Sequence, residues 1–304
     1  MTTEFKTILD DLKTSAVLAK RNILSFLLAT LGMALLVGVI LLVFAMPFAI
    51  LAVSAGPAAV QAWADSLVAL AMANPIGTGV AFYVLLGLPI ITLILIVVGS
   101  IYGISKEIVE TGTTRAESAF SWFRRKFLSF AGAGFLLSLV IVTPAAAVAG
   151  AVSLAFNYTP PVWAQQVVSM FSFIWCFITV GLCMMVLPAV THGKGVQESF
   201  KESFRLARTR FDRVFGLLTG IVVLLAISFG PAAIWGMWIG LTGVPPPMTL
   251  NPVSVFVMVW SAIAGLLWFV LFIPMSIVAS CKVYAELTNA KVGYQQAPPE
   301  LPMV

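Results

Sequence analysis

Apolar residues run along this chain in six long blocks, broken by short polar or basic segments. The blocks cover roughly Ile23–Phe48, Gly79–Ile104, Leu128–Leu154, Val167–Val190, Val214–Leu241 and Val253–Ser280, and none contains a charged residue. Each reaches the ~20 mainly apolar residues that a helix needs to cross a bilayer. They are too long, and too uniformly apolar, for the alternating strands of ~10 residues in a membrane barrel. Only helices and closed barrels satisfy their backbone in hydrocarbon, so the pattern predicts an all-α membrane protein with six transmembrane helices.

The polar segments have a pattern of their own. In Glu198–Phe215 the apolar side chains Phe200, Phe204, Ala207, Phe211, Val214 and Phe215 recur at spacings of three and four, which is one face of a helix. Arg205, Arg208 and Arg213 lie off that face, with Lys201 and Arg210 at its flanks. In Arg115–Phe130 the set is Ala116, Ala119, Phe120, Phe123 and Phe127, with Trp122 at the edge and Arg124, Arg125 and Lys126 in one basic cluster. Glu198 precedes Glu202 by four, and Lys201 precedes Arg205 by four, so like charges stack. This predicts basic amphipathic helices whose charges meet something outside the helix, such as lipid phosphates.

A basic segment feeds a span three times: Ser15–Pro47, Glu117–Pro144 and Glu198–Pro231. Each span ends near a proline (Pro47, Pro144, Pro231), and a returning span follows carrying Pro89, Pro188 or Pro274. Ser15-Ala16, Ser118-Ala119 and Ser203-Phe204 align upstream of Phe26, Phe130 and Phe215, with a one-residue gap in the first unit. A two-span unit returns to the side on which it began, so the expected architecture is three parallel two-helix repeats, each preceded by an amphipathic inner helix. A single membrane domain over residues 1–297 is expected, with repeats at about 8–110, 111–195 and 196–291 and a disordered tail at 298–304.

Composition agrees. Of 304 residues, 61% are hydrophobic and 10% charged, against about 45–50% and about 25% in soluble domains. All 17 Lys and Arg fall before span one, between spans two and three, between four and five, or after span six, with 11 of the 12 acids beside them. The positive-inside rule then puts both termini in the cytoplasm. Of the acids only Asp65 lies in an outer segment, within an apolar stretch that reads as an interfacial helix starting at Gly56-Pro57 and ending at Asn74-Pro75. Tyr158 and Trp163 suit an outer aromatic belt, Asn157-Tyr158-Thr159 matches a glycosylation sequon, and the third outer loop, GLTGVPPPMTLNP, reads as a stiff connector.

Candidate chemistry is sparse. Cys176, Cys183 and Cys281 lie in apolar runs and read as packing residues, and the lone His192 in THGKG lacks companions at ligand spacing. Lys106–Glu110 and Lys282–Glu286 are i,i+4 pairs that read as solvated helix ends. No span carries an Asp, Glu, His, Lys or Arg, so no enzyme, metal or cofactor is expected, and coupled transport loses its usual intramembrane charge. The residues expected to bind lipid or partner are Lys20, Arg21, Arg124, Arg125, Lys126, Arg205, Arg208 and Arg213. Anionic headgroups or an acidic membrane-protein partner are the expected ligands, and no nucleic acid is.

Three two-span units with prolines in the odd helices resemble mitochondrial carriers in outline. The carrier signature, an acid two residues after the proline and a base three further on, is absent from Pro47-Phe48-Ala49, Pro144-Ala145-Ala146 and Pro231-Ala232-Ala233. A Gly-containing turn, a Ser-Phe amphipathic segment and a span occur at Gly193 to Arg213 and at Glu110 to Phe130. In this the chain is similar to prokaryotic six-helix membrane proteins, namely the membrane domain attached to glycerophosphoryl diester phosphodiesterases and the YciC-like proteins. The resemblance implies a prokaryotic cytoplasmic membrane and a role in lipid metabolism or anchoring. It brings no catalytic residue, because the acidic metal-binding domain of the phosphodiesterase is missing. The function expected is a non-enzymatic scaffold or accessory subunit, with a passive transporter or lipid translocator as the alternative.

Overall fold

The computed structural model describes residues 5–242, 252–290 and 292–293. Among them there is no strand. Six helical stretches are long and apolar enough to cross a membrane: Ile23–Pro47, Pro75–Thr111, Glu117–Ala155, Val162–Thr191, Phe211–Met237 and Pro252–Leu287. The six-span helical class is therefore observed. The connector expected at GLTGVPPPMTLNP falls largely outside the described residues, and so does the tail 298–304.

In order, the helices are α1 (Phe5–Arg21), α2 (Ile23–Ala73), α3 (Pro75–Phe82), α4 (Leu88–Thr111), α5 (Glu117–Ala155), α6 (Val162–Cys183), α7 (Val186–Thr191), α8 (Val196–Thr209), α9 (Phe211–Thr242), α10 (Pro252–Leu267) and α11 (Ile273–Leu287). The first basic segment is its own helix, α1, and the third is α8; the second is the opening of α5. Each meets its span at one non-helical residue: Asn22 (φ −107, ψ 20), Lys126 (φ −118, ψ 15) and Arg210 (φ −129, ψ 43). Such backbone redirects a helix within one peptide, so the amphipathic segment folds across the span ends.

Counting from these junctions brings equivalent positions into register without a gap. Seven residues before stand Ser15, Ala119 and Ser203; four after stand Phe26, Phe130 and Val214; seven after stand Ala29, Ala133 and Leu217. None of the nine is more than 1% exposed. The register read from the sequence differs by one in two places, because it matched Ser118 to Ser15 and Phe215 to Phe26 by residue type. Packing selects instead the side chain that faces the bundle.

The returning spans end on left-handed residues, Gly112 (φ 82), Gly193 (φ 93) and Asn289 (φ 53), which close helix C-termini where an ordinary side chain is strained. Their prolines stand at different depths, so they do not mark equivalent positions. They share a local effect. Tyr83–Gly87 and Trp268–Phe272 are π-helical and lie just ahead of Pro89 and Pro274, and α6 breaks at Met184-Met185 ahead of Pro188. A proline offers no N–H and crowds the carbonyl four residues back, and a wider turn or a break relieves both.

The long α2 is two helices merged across Gly56 (φ 79, ψ 164), with Pro57 at the start of the second. Asn74 ends it, and its side chain accepts from Gly77 N at 3.0 Å to open α3. A helix over the stretch expected from Gly56-Pro57 to Asn74-Pro75 is thus present. The buried side chains gather at the basic end of the bundle, in three adjoining clusters around Phe26, Phe130 and Phe215.

Candidate functional site

The basic end carries nearly all the polar cross-links between elements. Of the eight residues singled out from the sequence, Lys20, Arg21, Arg124, Arg125, Arg205 and Arg208 are exposed and Lys126 is half-buried. They come from the three amphipathic segments, so the fold brings them to one end of the molecule. Arg213 is different. Its guanidinium turns inward and is bound on both sides.

Arg213, on the first turn of α9, donates to both Asp11 carboxylate oxygens at 3.0–3.3 Å, and its Nη2 also donates to Glu286. Lys282 Nζ donates to Asp11 Oδ1 at 2.6 Å and stands 3.6 Å from Glu286 Oε1. Asp11 is 3% exposed and Lys282 5%. Two acids and two bases thus form a charge-balanced quartet joining α1, α9 and α11. The solvated helix end expected at Lys282–Glu286 is corrected: α1 lies over it. Ile8 on the same helix sits where a side chain on Gly216 of α9 would be, so the absent Cβ admits α1. Buried ion pairs contribute little net stability, because desolvation offsets attraction, but removing one member leaves an unpaired buried charge.

A second node forms where the α5 opening packs on α4. Trp122 Nε1 and Thr114 Oγ1 both donate to Glu107, each at 2.8 Å. A Cβ on Gly103 would fall within the Trp122 ring, so the glycine lets the indole lie flat on α4. The neighbouring loop is held by Asn22, which accepts from Thr114 N at 3.3 Å and donates to Leu18 O and Gly112 O. Ser25 Oγ donates to Thr114 O at 3.0 Å. Lys106 lies over Trp122 at 5.5 Å, donates to Thr191 O at 3.4 Å, and pairs with Glu110 at 3.6 Å.

The third node is the turn between α7 and α8. Ser203 Oγ donates to Leu182 O at 2.6 Å and accepts from Met185 N at 3.2 Å, so one α8 hydroxyl satisfies backbone groups freed by the break before Pro188. The buried stripe of α8 is Ser199, Ser203, Leu206 and Ala207, not the phenylalanines; Phe200 and Phe204 lie at its margin and Phe211 is exposed. Small residues are needed where α8 presses on a broken span. Glu202 accepts from Arg205 at 2.7 and 3.1 Å and pairs with Lys194 at 3.3 Å, and these cations hold its carboxyl below the usual range. Glu202 is therefore paired within its own face, where the like-charge spacing had pointed outward only.

His192 closes this turn. Its Nδ1 lies 2.8 Å from Pro188 O and donates to it, so in the neutral ring Nε2 is an acceptor. The ring packs on Tyr284 of α11, centroids 4.9 Å apart. His192 Nε2 and the Tyr284 hydroxyl are buried and have no hydrogen-bond partner among the described residues. Burial pushes the imidazole pKa down, aided by Lys106 and Lys194 and opposed by Pro188 O and Glu110.

Among the described residues no group of three or more His, Cys, Asp or Glu could hold a metal ion. No protein-family model, curated protein or solved structure matches the chain. The sequence reading passed over Asn22 and Tyr284, gave Asp11 no site role, and placed Glu107 only at the solvated end of span two. Glu107 carried a usable signal, being an acid one turn inside the end of α4. The other three carried none, because the distant partners of Asp11 and Asn22 lie 90 to 271 residues away and the Tyr284 hydroxyl has no hydrogen-bond partner among the described residues.

Proposed function

We propose that this protein is a non-enzymatic membrane scaffold or accessory subunit whose basic face, on the cytoplasmic side, binds anionic lipid or an acidic partner. The observation that supports it is the exposure of Lys20, Arg124, Arg125, Arg205 and Arg208 on three amphipathic segments packed at one end of the spans. A cation near an anionic leaflet contributes about 1 kcal/mol, so a ring of them holds the surface firmly. In this reading the spans are three parallel repeats in a prokaryotic inner membrane, with both termini cytoplasmic, as in the six-helix proteins that the chain resembles. The equivalent burial around Asn22, Lys126 and Arg210 supports the repeat.

Changing Arg124, Arg125 and Lys126 together to Glu tests it. Retention of phosphatidylglycerol or of a co-purifying acidic partner should fall at least about tenfold, the effect of losing several ~1 kcal/mol contacts. Unchanged retention of both sinks the proposal.

A second reading, a passive transporter or lipid translocator, draws on the interruption of every returning span just before Pro89, Pro188 or Pro274. It expects a cysteine engineered beside Pro89 or Pro188 to react with a water-soluble thiol reagent. Full protection at both sites removes it.

A further inference from the structure

Helix α1 is held at both of its ends against the basic ends of the spans. Toward its start, Ile8 and Leu12 sit over Gly216 and Gly220, where an added Cβ would come within 2.3 and 3.0 Å of them. Both glycines lie near the start of the fifth span, Phe211–Met237. At the other end, Asn22 donates to Gly112 O at 3.2 Å, just past the last residue of α4, and the first span begins one residue further on. About 21 Å of helix between Ile8 and Asn22 therefore runs along the ends of the spans, where hydrocarbon gives way to headgroups. The inner side, Ile8, Asp11, Leu12, Ser15, Leu18 and Ala19, is buried on the bundle, so the helix cannot roll.

The same contacts fix what the outer side presents. Lys6, Lys13 and Lys20 stand seven residues apart, so they fall within about 40° of one another around the helix and repeat about every 10 Å along it. All three are exposed, and among the described residues no carboxylate pairs with them, whereas Lys106, Lys194 and Lys282 each have one. Asp10 is the one described acid exposed on this side, which is net positive. Large apolar side chains stand between and beside the lysines: Phe5 is 72% exposed, Leu9 50% and Val17 61%. Unpaired cations interspersed with unburied apolar side chains, on a helix lying along the bilayer edge, suit phosphates above and the acyl boundary below.

We propose that the outer side of α1 is a docking surface for an anionic leaflet, with Lys6, Lys13 and Lys20 meeting headgroup phosphates and Phe5 and Leu9 entering the acyl boundary. This rests on the reading of the basic end as a lipid-binding face and gives that face a contact separate from the Arg124–Lys126 cluster. Because Asp11 is locked to Arg213 and Lys282, the lysines are held in a fixed row and binding orders no helix.

The test incubates the detergent-purified protein with equal amounts of phosphatidylglycerol and phosphatidylcholine and counts bound lipids by mass spectrometry. The wild type should hold phosphatidylglycerol in preference. Changing Lys6, Lys13 and Lys20 together to Gln should lower phosphatidylglycerol retention at least about tenfold and leave phosphatidylcholine unchanged. The same three changed to Arg should retain it as the wild type does. Phe5→Ser with Leu9→Ser should lower retention of both lipids, and an unchanged result there overturns their entry into the acyl boundary. In lipid-free detergent the Gln variant should melt with the wild type, since the three side chains are exposed. Unchanged phosphatidylglycerol in the Gln variant, an equal loss in the Arg variant, or a lower melting point of the Gln variant overturns the proposal. Loss of a co-purifying acidic protein from the Gln variant, with its lipid kept, also overturns it and assigns the row to that protein. Retention lost on the Arg124–Lys126 reversal but kept in the Gln variant removes this surface alone, whereas retention kept in both removes the lipid-binding reading with it.

Discussion

At the basic end of the spans Phe26 and Phe130 are at most 1% exposed, whereas Phe44 and Phe82, toward the opposite end, are 72% and 65% exposed. The same residue type meets two solvents. In hydrocarbon an apolar side chain gains nothing by leaving its surroundings, so nothing drives the halves of the helices away from the basic end together except local fit. At the basic end water and headgroups reach the chain, burial is favourable, and polar groups must find partners. The halves away from the basic end accordingly carry few cross-links among the described residues, such as Tyr83 to Thr143 at 2.9 Å and Trp260 Nε1 to Ser228 O at 2.7 Å. The basic end carries three connected nodes.

The largest test of this contrast is the quartet. Lys282→Ala should destabilise the protein by about 3–5 kcal/mol, because it leaves the Asp11 and Glu286 carboxylates sharing the one cation of Arg213 in a buried site. Phe44→Ala should leave thermal unfolding in detergent almost unmoved. Equal effects would mean that both halves stabilise the fold alike. Next comes a matched pair of tryptophans. Trp122→Phe removes a hydrogen bond to the Glu107 carboxylate, worth about 1.5–3 kcal/mol, whereas Trp260→Phe removes one to a carbonyl, worth about 1 kcal/mol. A larger loss for Trp260 in chemical unfolding would reverse the expected order.

A smaller effect comes from His192, whose pKa is lowered in the folded protein by burial. Below about pH 6.5 the unfolded chain binds a proton that the folded one resists. Stability should therefore fall as pH drops from that value to the folded pKa, then level off. His192→Gln should remove this part of the slope, and an identical melting-temperature profile in the variant would show that the ring is not desolvated. Smallest is Arg205→Ala. Its ion pair with Glu202 is open to solvent, so melting should be indistinguishable from wild type while lipid retention drops.

The spans were legible because they depend on composition over ~20 residues, which the sequence carries locally. The helix between Gly56 and Asn74 was legible for a similar reason, since Gly56-Pro57 and Asn74-Pro75 are short-range punctuation. The amphipathic segments were found, but their contact stripes were partly misread. Periodicity credits Phe200 and Phe204, while close approach to a broken span selects Ser199 and Ser203. The quartet was out of reach: Asp11 and Lys282 are 271 residues apart, and neither looks unusual beside its neighbours. The junctions were hidden too, because Asn22, Lys126 and Arg210 share a backbone conformation and not a side chain.

The packing of α1 on α11 also bears on how the protein is made. The first of the described helices, α1, has its main docking surface on the last of them, α11. While the ribosome is still delivering the intervening spans, Asp11 lacks Lys282 and Arg213 lacks Glu286. The quartet can close only after the sixth span has entered the bilayer. A nascent chain arrested before α11 would therefore keep α1 undocked and open to proteases or chaperones.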